Sequence, residues 1–92
     1  MTSKRLTASG VVSAEPATIY AIILTAASND SAMKVYNDAS SAQGEVVGSL
    51  RVDFDATPSA SLTIPNQGRK CDTGIYVELV AGTTPDMIVY FE

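Results

Sequence analysis

Apolar and polar residues alternate along this chain in short runs separated by turn formers, the period-two pattern of β-strands. In residues 74–81, Ile75, Val77 and Leu79 fall on one face, and Tyr76, Glu78 and Val80 on the other. Residues 45–54 set Val46, Gly48, Leu50, Val52 and Phe54 opposite Val47, Ser49, Arg51 and Asp53, a strand with one dry and one wet face. Gly48 in its middle marks a bulge or a close neighbour. Residues 86–92 place Met87, Val89 and Phe91 against Ile88 and Tyr90, and shorter strands are expected at 10–13 and 61–64, the latter with Leu62 and Ile64 inward. Residues 18–26 differ from the rest. Ile19, Ala21 and Ile23 share one face and Tyr20, Ile22 and Leu24 the other, so both faces need cover. Asn29-Asp30-Ser31 is turn chemistry, which predicts a hairpin over 18–37; Gly82-Thr83-Thr84-Pro85 predicts a second one at the C-terminus. No segment carries a helical period. Six to eight strands spaced in this way predict an all-β domain, a sandwich or a small barrel.

Length sharpens the picture. A chain of 92 residues makes one domain, and a domain of that size hides only about 60–65% of its unfolded surface. Residues 1–9 are polar, basic at Lys4 and Arg5, and lack periodicity, so they read as a flexible N-terminal arm; residues 10–92 are the β domain. Cys71 is the sole cysteine and histidine is absent, which excludes a disulfide framework and argues against structural zinc. Oligomerisation remains as the usual way to finish a small core. The two-faced strand at 18–26 points the same way, and a homotrimer is expected, with Tyr20, Ile22, Leu24, Tyr36, Tyr76 and Tyr90 at its interface.

Charged residues make up 17% of the chain, below the roughly 25% of an average domain. The net charge is −4, which argues against nucleic-acid binding. No apolar run is long enough to span a bilayer, and no signal peptide is read at the N-terminus. Catalysis finds little support without histidine, and no catalytic residue or cofactor is expected. Asp53 and Asp55 read as a solvated strand end, and Asn29-Asp30 as a turn before a cation ligand. Cys71, beside Lys70, reads as an inert loop thiol because no partner base is visible. The basic pair Arg69-Lys70 reads first as a solvated pair, with phosphate or a carboxylate-rich neighbour as the alternative partner. The four tyrosines all lie on strands, opposite the better-filled apolar row, and suit a subunit interface better than a sugar site.

The order of SGVVSA at 9–14, TIYAIILTA at 18–26, KVYNDASSAQG at 34–44 and TGIYVELVAGTTPDMIVYFE at 73–92 resembles small virion proteins of tailed bacteriophages. That resemblance implies a small antiparallel β-sandwich, jelly-roll-like, acting as a head decoration (cement) protein. It implies a trimer on the outer capsid surface, made in the host bacterial cytoplasm, with the major capsid protein as partner and no membrane or nucleic acid. Lys4, Arg5, Arg69 and Lys70 are then the expected capsid contacts. The alternatives are a carbohydrate- or receptor-binding β-module, or another small tail, fibre or adaptor component.

Overall fold

The computed structural model describes residues 2–65 and 67–92. Met1, in the expected arm, and Asn66, in the expected turn before Gly68, lie outside the described residues. Among the described residues nine strands form: β1 (Thr2–Leu6), β2 (Gly10–Ser13), β3 (Ala17–Thr25), β4 (Ser31–Asn37), β5 (Glu45–Val52), β6 (Ser59–Thr63), β7 (Arg69–Cys71), β8 (Ile75–Ala81) and β9 (Asp86–Phe91). They build two antiparallel sheets. One has the order β1-β9-β3-β6, with β7 also paired to β3; the other has the order β2-β8-β4-β5. The pairs β1–β9, β2–β8, β3–β6 and β4–β5 are those of one long hairpin, turning between β4 and β5, wound into a two-sheet sandwich. That is jelly-roll connectivity, and the fold is an all-β sandwich as the alternation predicts.

Both expected hairpins are corrected. β3 and β4 lie in different sheets, as do β8 and β9, so each connection arches from one sheet to the other. The two arches lie side by side. Asn29 Oδ1 accepts the Thr83 N–H at 2.9 Å, and Asn29 Nδ2 donates to Thr83 Oγ1 at 3.2 Å. Asn, Asp and Gly relieve a turn equally well whether the chain returns beside itself or crosses over. Packing decides here: the Ile22 and Leu24 row needs cover from above, which Met33, Val35, Ile75 and Val77 provide in the second sheet. Gly82 supports its arch at φ +109°, where an added Cβ would sit 2.3 Å from Ser31 Oγ.

Ile19, Ile22, Leu24, Val35, Cys71, Ile75, Val77, Met87 and Val89 are fully buried between the sheets. Leu50, Leu62, Ile64 and Leu79 pack around them. Two bulges move residues off their expected faces, and a third leaves Val80 on its expected outer one. On β3 the register against β9 shifts at Tyr20, so Ile19 shares the inner face with Ile22 and Leu24, while Ala21 and Ile23 turn outward. On β5 a shift places Val47 out of register, so Val46 faces solvent at 47% exposure, and Gly48 turns in. A Cβ on Gly48 would meet Ile22 Cδ1 at 2.8 Å, so both expectations for this glycine hold. On β8 a third shift sets Val80 out of step, exposed. Phe54, expected on the dry face, lies beyond the end of β5 and is 40% exposed.

The arm is also corrected. Thr2–Leu6 is a strand that pairs with β9 in regular register, Thr2 opposite Phe91 and Leu6 opposite Met87. Its alternation is short but real: Lys4 and Leu6 lie over the inner row, and Ser3 and Arg5 over the outer one. Lys4 Nζ donates to the Val11 carbonyl in the other sheet at 2.9 Å, and Arg5 Nε donates to Asp86 Oδ1 at 2.7 Å. These contacts hold an edge strand that its own side chains bury poorly.

Candidate interaction surface

The outer face of the β2-β8-β4-β5 sheet follows from one pairing. Lys34-Val35-Tyr36 runs antiparallel to Tyr76-Val77-Glu78, so Val35 meets Val77 inside while Tyr36 meets Tyr76 and Lys34 meets Glu78 outside. Val11 lies opposite Tyr76, and Val46 opposite Tyr36. The result is a row, Val11–Tyr76–Tyr36–Val46, across all four strands of the sheet. Tyr36 OH donates to Glu78 Oε1 at 2.8 Å, which fixes the ring against the sheet. That hydrogen bond, with desolvation and the nearby carboxylate charge, holds the Tyr36 phenol above its ordinary pKa of 10.0. Beyond the row lie Lys34, Glu78 and Ser49, then Arg51 and the exposed Val80.

The outer face of the other sheet is built from smaller groups. Ile23, Ile88, Ala21 and Tyr90 occupy its middle strands, all half-buried. Ser59, Ser61 and Thr63 flank them on β6, and Thr25 bonds Ser59 hydroxyl to hydroxyl at 3.1 Å. The Arg5–Asp86 ion pair closes the β1 side.

The expected interface residues therefore divide. Ile22 and Leu24 are fully buried in the core and are withdrawn from any interface. Tyr36 and Tyr76 stand together on one outer face; Tyr90 belongs to the opposite side of the sandwich, and Tyr20 is the bulge residue of β3. The four tyrosines do not form one ridge. The expected capsid cations divide as well. β1 is one edge of its sheet, and β7 pairs along the opposite side of β3, so Lys4 and Arg5 are remote from Arg69 and Lys70. Arg69 is ion-paired to Glu45. Lys70 has no ionic partner among the described residues.

The remaining candidates are structural. Asp53 Oδ1 accepts the Asp55 N–H at 3.0 Å and closes a turn against Thr57, and Asp30 Oδ1 accepts the Phe54 N–H at 2.9 Å. These two carboxylates line a cleft of about 460 Å³ at one end of the sandwich together with Ser31, Arg51 and Thr57. Among the described residues no three Cys, Asp or Glu side chains converge to hold a metal ion. Cys71 sits on β7 and is fully buried, not in a loop; burial pushes its thiol pKa up, which disfavours the thiolate. Sequence reasoning missed Val11, Val46, Lys34 and Glu78 as one surface. The signal was the complementary pair of motifs, Lys-x-Tyr and Tyr-x-Glu, on strands that run antiparallel. Comparison with protein-family models, curated proteins and solved structures finds no match to this chain.

Proposed function

We propose that this chain is a non-catalytic structural protein of a tailed-phage virion, decorating the outer face of the head as a homo-oligomer bound to the major capsid protein. The observation that carries this reading is the Val11–Tyr76–Tyr36–Val46 row across a four-stranded face, where Tyr36 is covered by its neighbours and Val11, Tyr76 and Val46 offer the contact area. Tyrosine gives large contact area with few rotors to freeze, and such side chains lead at protein interfaces. Jelly rolls recur in viral capsid domains, an analogy of fold that raises the reading without assigning it. The threefold state expected from the sequence has lost its motive, because Ile22 and Leu24 turn inward. Any closed oligomer still multiplies weak contacts. If one contact binds at ~10 μM and linkage supplies ~1 mM effective concentration, two contacts reach ~100 nM.

Co-sedimentation with purified bare heads tests the reading. The protein is expected to bind and to raise the temperature at which heads burst. Tyr76→Ala and Val46→Glu should weaken binding while the isolated domain stays folded. Absence of binding to bare heads moves an adaptor, tail or fibre role to first place. A second reading rests on the same face: two adjacent tyrosines beside Glu78 also suit a sugar ring, and jelly rolls include lectins. A glycan array that returns Tyr76-dependent binding would favour that reading.

A further inference from the structure

Edge strands expose backbone N–H and C=O groups that can template another chain, and proteins blunt them with charge, bulges or shortness. Here β1 carries Lys4 and Arg5, β2 has four residues and a register shift, β5 has a bulge with Glu45 and Arg51, and β7 has three residues including Arg69 and Lys70. β6 has no such device. Its sequence is Ser59-Ala60-Ser61-Leu62-Thr63, without charge or proline, and its register against β3 is unbroken. The phase of its hydrogen bonds is fixed by Ile64 N donating to Tyr20 O and Ala26 N donating to Pro58 O. The backbone groups of Ala60 and Leu62 thus turn toward β3, and those of Ser59, Ser61 and Thr63 toward the open side.

We propose that β6 pairs antiparallel with β6 of a second copy of this chain, about a two-fold axis at Ser61. In that register Ser61 faces Ser61, Ser59 faces Thr63, and Ala60 faces Leu62. The strand reads hydroxyl, apolar, hydroxyl, apolar, hydroxyl in both directions, the self-complementarity that a two-fold contact requires. The outward backbone groups of Ser59, Ser61 and Thr63 fall into hydrogen-bonded pairs. Their hydroxyls meet on the outer face, while Ala60 and Leu62 extend the inner row. Charge agrees with the direction. The turn before β6, with Asp53 and Asp55, comes to the end where the partner's β7 continues the same edge, so two carboxylates approach Arg69 and Lys70 of the partner subunit. Pattern and charge both match the chain to itself, which favours a second copy over an unrelated strand. The pairing stands apart from the virion reading.

A five-residue ladder is small beside the roughly 800 Å² per partner of a standard interface, so the dimer should dissociate on dilution. Sedimentation equilibrium from about 10 μM to about 1 mM should show the 9.6 kDa chain rising toward twice that mass. Ser61→Lys puts like charges face to face in the pair on an exposed side chain, and should keep the chain monomeric with unchanged circular dichroism and melting. Ser61→Cys should cross-link through a short bis-maleimide, because the native Cys71 is buried; Ser49→Cys, exposed on the other sheet, should not. A monomer at every concentration, a trimeric mass, or a dimer that Ser61→Lys leaves whole overturns the proposal.

Discussion

β3 and β4 are inner strands of their two sheets, and their burial inverts what their composition suggests. β3 is apolar on both faces, yet it is buried at three of its nine positions; β4 carries Ser31, Lys34 and Asn37, yet it is buried at five of seven. The difference lies in the neighbours. The outer face of β4 is flanked by Tyr76, Glu78 and Val46, large groups that lie over it. The outer face of β3 has large neighbours, Ile88 and Tyr90, on its β9 side only; on the other side it borders Ser59, Ser61 and Thr63, which are too small to cover anything. A residue's own hydropathy sets what it gains from burial, but the side chains on adjacent strands set how much burial is on offer.

The largest test of this contrast compares two isoleucines in adjacent positions. Ile22→Ala should cost about 2–5 kcal/mol, because its side chain leaves a cavity between the sheets. Ile23→Ala, on the half-covered outer face, should cost about 1 kcal/mol or less. Urea midpoints decide the matter, and equal losses would remove the distinction between the faces. Next comes the arch that brings β8 over to β9. Gly82→Ala should cost about 1–3 kcal/mol for a backbone that only glycine holds comfortably, with the Ser31 clash in addition. Pairing it with Ser31→Gly should recover the clash and leave the backbone loss, a coupling visible in a double-mutant cycle.

Smaller effects sharpen the comparison by pH. The Tyr36 phenol is raised by its bond to Glu78, so its contribution to stability is present below pH 10.0 and lost as pH rises through the higher folded value. Ultraviolet titration of the folded protein should show a late Tyr36 step, missing in Tyr36→Phe and earlier in Glu78→Gln. The least effect belongs to Asp38. Its carboxylate accepts backbone N–H groups of Ser40 and Ser41 at 2.9 and 3.1 Å, which holds its pKa below 3.8. That contribution is present above pH 3.8 and fades as pH falls through the lower folded value. Asp38→Asn should flatten this acid limb of the melting curve slightly; an unchanged limb would count against the loop bonds.

Much of the core was legible, because Ile75, Val77, Met87 and Val89 keep strict alternation on strands whose inner row is uninterrupted. The faces of β3 and β5 were misread at Tyr20 and Val47, where one extra residue reverses the faces on its two sides: Ile19 joins Ile22 and Leu24, and Val46 parts from Gly48, Leu50 and Val52. The two arches were read as hairpins because turn chemistry is local and sheet membership is not. β1 was missed because Leu6 is its one strongly apolar residue, and the evidence for pairing lies 81 residues away in Asp86. The candidate surface was half legible: both tyrosines were picked out, but their adjacency needed the register.

β1 lies beside β9 and, among the described residues, pairs with no other strand. During synthesis, residues 2–6 emerge early and then wait, since the strand that fixes them is made only with residues 86–91. Folding must draw together segments from far apart in the chain before the first sheet is whole, which slows it and leaves an unpaired early segment open to wrong partners. Charge at Lys4 and Arg5 opposes pairing of that segment with its own copies before β9 is made.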